Sequence, residues 1–120
     1  MSRKPPANVY GHNVTLQTCT GVDAWQAPTW STQAINGVNV QPANGIALTK
    51  DNAQVQYTAM LFADSLYTSP ALDWWDLKNT SEAAGHPLTV VFEGNTFTVV
   101  QVDKIFNEFC AFDHWEVLLK

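Results

Sequence analysis

Apolar and polar residues alternate along most of this chain, the period of two expected of strands with one buried face. From His12 to Thr20, Val14, Leu16 and Thr18 alternate with Thr15, Gln17 and Cys19. Gly21, Asp23 and Pro28 then punctuate "GVDAWQAPTW" as a turn. A second strand follows from Trp30 to Gln41, with Ile35, Val38 and Val40 on its apolar face and a turn or bulge at Asn36-Gly37. Residues 41–52, "QPANGIALTKDN", are crowded with breakers and predict a long loop. That loop also holds Ile46 and Leu48, so it is either tucked onto the body or kept for a partner. Ala53 to Ala63 predicts a third strand, opening with Val55 and Tyr57 set against Gln54 and Gln56. In the last third, "LTVVFEGNTFTVVQVDKIF" reads as two strands joined by a tight turn at Glu93-Gly94-Asn95. A loop near Asn107 then leads to a closing strand, "FDHWEVLLK".

One stretch breaks the alternation. "SPALDWWDLKN" predicts a helix over about 70–84, with Ser69 as N-cap and Pro70 in the first helical position, where its missing N–H costs nothing. Gly85 and Pro87 end it. Its adjacent tryptophans, Trp74 and Trp75, project about 100° apart and cannot share one core face equally. Counted as one stripe with Leu72, Trp75 is expected to pack on the body, leaving Trp74 to face a neighbour. The pattern predicts a mainly β fold: a small β-barrel of six to seven short strands with one inserted short α-helix and a long loop. Residues 1–11, with two prolines and the Arg3-Lys4 pair, read as an N-terminal arm, and 12–120 as a single domain.

Composition narrows the function. The 120 residues are 46% hydrophobic, only 14% charged, and carry a net charge of −5. Between Asp64 and Glu116 nine acids face two lysines, Lys78 and Lys104. No basic face exists to grip nucleic-acid phosphates. The N-terminus lacks the apolar segment of a secretory signal, and no apolar run approaches the ~20 residues of a membrane span. An intracellular product is therefore expected, with Cys19 and Cys110 as two buried free thiols.

No catalytic, metal or cofactor signature emerges, and the chain is not expected to be an enzyme. The histidines His12, His86 and His114 lack ligand spacing. Asp113, His114 and Glu116 read as a polar strand edge, Cys110 and His114 as an inert pair, and Asp73 and Asp76 as acids suited to a helix N-terminus. No glycine-rich phosphate loop is present. What stands out is the number of large rings on a weakly charged surface. Trp25, Trp30, Trp74 and Trp75 are candidate inter-subunit contacts, since Trp is enriched at interfaces; alternatively Trp25, Trp30 or Trp74 would be the sugar-stacking platforms of a carbohydrate-binding β-sandwich module.

The order of the pieces "VTLQTCTGVDAWQAPTW", "INGVNVQPANG", "SPALDWWDLK", "LTVVFEGNTFTVVQVD" and "HWEVLLK" resembles the minor capsid proteins encoded in the head–tail joining region of long-tailed bacteriophages, themselves similar to head-completion, or stopper, proteins of the phage neck. The resemblance spans residues 12–120 and rests on pattern and order. It implies a virion protein assembled in the host cytoplasm: a head–tail connector subunit in a hexameric ring around the DNA channel. The portal or adaptor complex would lie on one side, the tail terminator or tail on the other, and DNA would pass without sequence-specific binding. An adaptor or tail-terminator type of neck protein is the alternative within that setting. By the same resemblance the long loop projects into the channel, which here falls on Gln41, Pro42, Asn44, Gly45, Ile46, Leu48, Lys50 and Asn52.

Overall fold

Six strands and one helix follow the order β1 (His12–Val22), β2 (Pro28–Leu48), β3 (Gln54–Asp64), α1 (Trp74–Ala83), β4 (Thr89–Phe92), β5 (Asn95–Phe106) and β6 (Phe112–Leu119). They are seen in a computed structural model that describes residues 10–48 and 52–120. Every neighbouring pair is antiparallel, and the order β1-β2-β3-β6-β5-β4 closes as a barrel when β4 meets β1 at Thr15–Gln17. The mainly β architecture with one short helix is thus the one that the alternation predicts. No helix among the described residues is long and apolar enough to cross a membrane.

Side chains that alternate along each strand line up across the ladder into rows. Val38, Ala63 and Trp115 form one buried row, and Val40, Leu61, Val117 and Val102 the next. Each fully buried aliphatic of this kind contributes roughly 1.5–3 kcal/mol. Gly37 forms a bulge between two rows, where the register shifts opposite His12 and Asn13. Its φ of +76° and the close approach of the Tyr67 carbonyl leave no room for a side chain. The turn after β4 is a two-residue type I′ connection, with φ of 49° at Glu93 and 77° at Gly94.

The barrel wall is incomplete in sheet alone. β4 has four residues and starts at Thr89, opposite Gln17 of β1 and Thr98 of β5. Beyond that level α1 fills the opening between β1 and β5. Ser81, fully buried on α1, accepts a hydrogen bond from the Cys19 N–H at 3.0 Å and donates to the His86 carbonyl at 2.9 Å. On the other flank the Trp75 indole N–H donates to the Val102 carbonyl at 2.9 Å.

Four expectations are corrected. Residues 41–48 are not loop: they continue β2, paired with β3 from Gln41 opposite Met60 to Leu48 opposite Gln54. The breakers fit because β1 pairs with β2 no further than Val38, so among the described residues β2 has an open edge there, and a register shift between Pro42 and Gly45 absorbs the irregularity. The result is a long hairpin arm. Second, α1 starts later than expected. Ser69 is taken up by a bridge to Asn36, with N–H to carbonyl distances of 2.8 and 2.9 Å, and Asp73 is the N-cap, its side chain accepting from the Asp76 N–H at 3.1 Å. Third, the two rings exchange roles: Trp74 is 1% exposed in the core and Trp75 is 45% exposed. Leu72 precedes the helix, so the stripe counted from it does not hold. Fourth, Cys19 is buried but Cys110 is exposed, because it lies in the turn between β5 and β6.

Candidate interaction surface

In this barrel β1, β3 and β5 run the same way, so the turns that follow them gather at one end. Two of these turns are the same structure. Val22 pairs with Pro28 and Phe106 with Phe112, so each hairpin is closed by five residues, 23–27 and 107–111. Asp23 Oδ1 accepts from the backbone N–H of Trp25 at 2.8 Å and of Ala27 at 3.0 Å. Asn107 Oδ1 accepts from Phe109 at 2.9 Å and Ala111 at 3.1 Å. The backbone repeats too: Asp23 N–H donates to the Ala27 carbonyl at 2.9 Å and Asn107 N–H to that of Ala111 at 2.8 Å. Gln26 and Cys110, the fourth residues, both take left-handed φ, 63° and 61°. In each case the side chain at the loop centre is an aromatic ring held in water, Trp25 at 88% exposure and Phe109 at 79%.

The third turn uses the same device on a smaller scale. Asp64 Oδ1 accepts from the Leu66 N–H at 2.7 Å, and Leu66 is 67% exposed. An Asp or Asn that hydrogen-bonds the backbone two residues on fixes a turn without help from the core. These tips are therefore rigid supports for exposed apolar groups. No lysine or arginine stands in turns 23–27, 65–68 and 107–111, and the surroundings include the acids Asp23, Asp64, Glu108 and Asp113.

Below this end lies a cleft of about 560 Å³ between α1 and β5, lined by Trp75, Lys78, Asn79, residues 100–103 and, from the hairpin arm, Leu48. Its cation, Lys78, pairs with Glu82 at 2.7 Å along the helix. Gln101 Nε2 donates to the Asp103 carboxylate at 3.1 and 3.3 Å, while its buried Oε1 has no partner among the described residues. Trp75 is fixed by its bond to Val102 and by an edge contact to Trp115 with ring centroids 5.4 Å apart. The Lys104 ammonium lies 5.3 to 5.7 Å from the centroids of Trp75, Phe106, Phe112 and Trp115. Four ring faces thus hold this cation and tie α1 to the β5–β6 hairpin.

The sequence candidates sort accordingly. Trp25 stands at a tip, and Trp30, 41% exposed, meets His86 edge-on with centroids 5.6 Å apart on the same hairpin. Trp75 lines the cleft, whereas Trp74 is core and presents no surface. Gln41, Pro42, Asn44, Gly45, Ile46 and Leu48 lie on the arm, where Ile46 and Leu48 are about 60% exposed (61% and 60%) and Gly45 lies under the Tyr57 ring. Asn52 adjoins β3, and Lys50 lies outside the described residues. Alternation alone does not mark Phe109 or Leu66 as surface groups, though the pairing of "DAWQA" with "NEFCA" is a readable signal for the first.

Among the polar candidates, Asp113, His114 and Glu116 lie together along β6. Asp73 is committed to capping α1. His114 bridges Asp113 at 2.6 Å and Glu116 at 3.5 Å along β6. No group of three or more His, Cys, Asp or Glu positioned for a metal ion occurs among the described residues. No model of a known protein family matches the chain, and a search of curated proteins returns no match.

Proposed function

We propose that this protein is a structural virion component: a head–tail connector subunit of the stopper type, joining copies of itself into a ring around the DNA channel of a long-tailed phage. The observation that carries this reading is the pair of braced turns. The side-chain hydrogen bonds stabilise each turn, but a monomer gains nothing from the large rings of Trp25 and Phe109 that these turns hold in water, whereas a protein that works by contact does. The arm from β2 and β3 supports it as well, because it extends the residues that the resemblance assigns to the channel beyond the barrel wall. A net charge of −5 suits a channel wall that should release DNA rather than hold it.

The test is reconstitution. The purified protein is mixed with the portal–adaptor complex and with tails of its own phage, and the products are imaged. A ring of added density at the neck is the expected result. Failure to bind either structure, together with retention on a polysaccharide column, would replace this reading with that of a carbohydrate-binding module.

A further inference from the structure

We propose that Trp25 of one copy seats in the α1–β5 cleft of the next copy, so that each chain carries both the knob and the hole of a head-to-tail contact. The inference rests on the reading of the chain as a ring subunit and names the contact that builds the ring. The two halves match in two respects. Trp25 offers a large apolar ring, 88% exposed, and the cleft offers the half-exposed Trp75 ring and Leu48 in a space of about 560 Å³, within the range that encloses a drug-sized ligand. The Trp25 indole N–H has no partner among the described residues, and Gln101 of the cleft lining has a buried acceptor oxygen without one.

Because knob and hole are different surfaces of one chain, the contact is heterologous, and its repetition closes a ring where the rotation between neighbours divides a full turn. One tryptophan buries at most about 250 Å², far below the roughly 1,200 Å² of a stable interface. Isolated copies therefore associate weakly, and ring closure supplies the missing affinity.

The experiment uses this chain alone, so its failure is distinct from failure to bind the neck. In a Cys110→Ser background, Ala24→Cys and Asn79→Cys copies, both keeping Trp25, are mixed under mild oxidation. A covalent heterodimer forming at least about tenfold faster than the control mixture of Ala24→Cys with Glu93→Cys is expected, tenfold being about 1.4 kcal/mol of preferential contact. Equal rates overturn the proposal. Sedimentation gives the second measurement. Trp25→Ala removes the knob and Asn79→Arg blocks the hole, neither touching the core. Each alone stays monomeric, while their mixture gives heterodimers and nothing larger. Self-association of either variant at the level of the unaltered chain, or a strictly monomeric unaltered chain at ~1 mM with no crosslink, overturns the proposal.

Discussion

At the residue scale, turn geometry here is set by single side chains. Asp23 and Asn107 each satisfy two backbone donors, and the barrel core reaches neither turn. Replacing either by Ala removes two hydrogen bonds from an exposed turn, a loss of about 1 kcal/mol. The expected outcome is a small drop in the denaturation midpoint, with faster amide hydrogen exchange confined to 23–27 in Asp23→Ala and to 107–111 in Asn107→Ala. Exchange that spreads into the strands would show that the turns depend on the barrel instead. The residue pattern was visible in sequence as two short strings, each with Asp or Asn first, an aromatic third and Ala last. Its meaning was not, because the hydrogen bonds form only when both strings close hairpins of equal length.

At the scale of elements, α1 is a wall segment rather than an appendage. It stands where β4 ends, and its first residue, Trp74, fills the core while the next, Trp75, closes the outside by its bond to Val102. Trp74→Ala opens a cavity in a packed interior and is expected to cost about 3–5 kcal/mol. Trp75→Ala loses part of a ring and one hydrogen bond, about 1–2 kcal/mol. Urea denaturation of the two variants separates them, and the order reverses if the stripe read from the sequence were the true one. The helix itself was legible, as were the bulge at Gly37 and the turn at Glu93-Gly94. Its start was not, since Ser69 and Asp73 are both good caps and only the bridge from Ser69 to Asn36, distant in sequence, decides between them.

At the scale of the whole molecule, β2 joins two structures with different duties. From Thr29 to Val38 it belongs to the hairpin that carries Trp25, and beyond Gln41 it becomes the arm. Below the arm, Ala59 of β3 already pairs with Leu119 of β6, so the barrel does not need what lies beyond. Replacing residues 43–58 with a two-residue turn is expected to leave cooperative unfolding within about 1–2 kcal/mol of the full chain. The same change removes Leu48 from the cleft and, on the proposed function, is expected to abolish ring formation. A shortened chain that still assembles would assign the arm a role other than contact.

What the sequence determined by itself was local: the period of two that makes strands, the glycines and proline that stop them, and the shortage of basic residues. These follow from backbone sterics and side-chain chemistry, which act between near neighbours. Tertiary structure alone decided that an apparently broken stretch would pair as an arm, that Trp74 rather than Trp75 would be buried, and that turns after β1, β3 and β5 would share one end. Those outcomes depend on which strand lies beside which, and that is settled by closing the barrel around a common core.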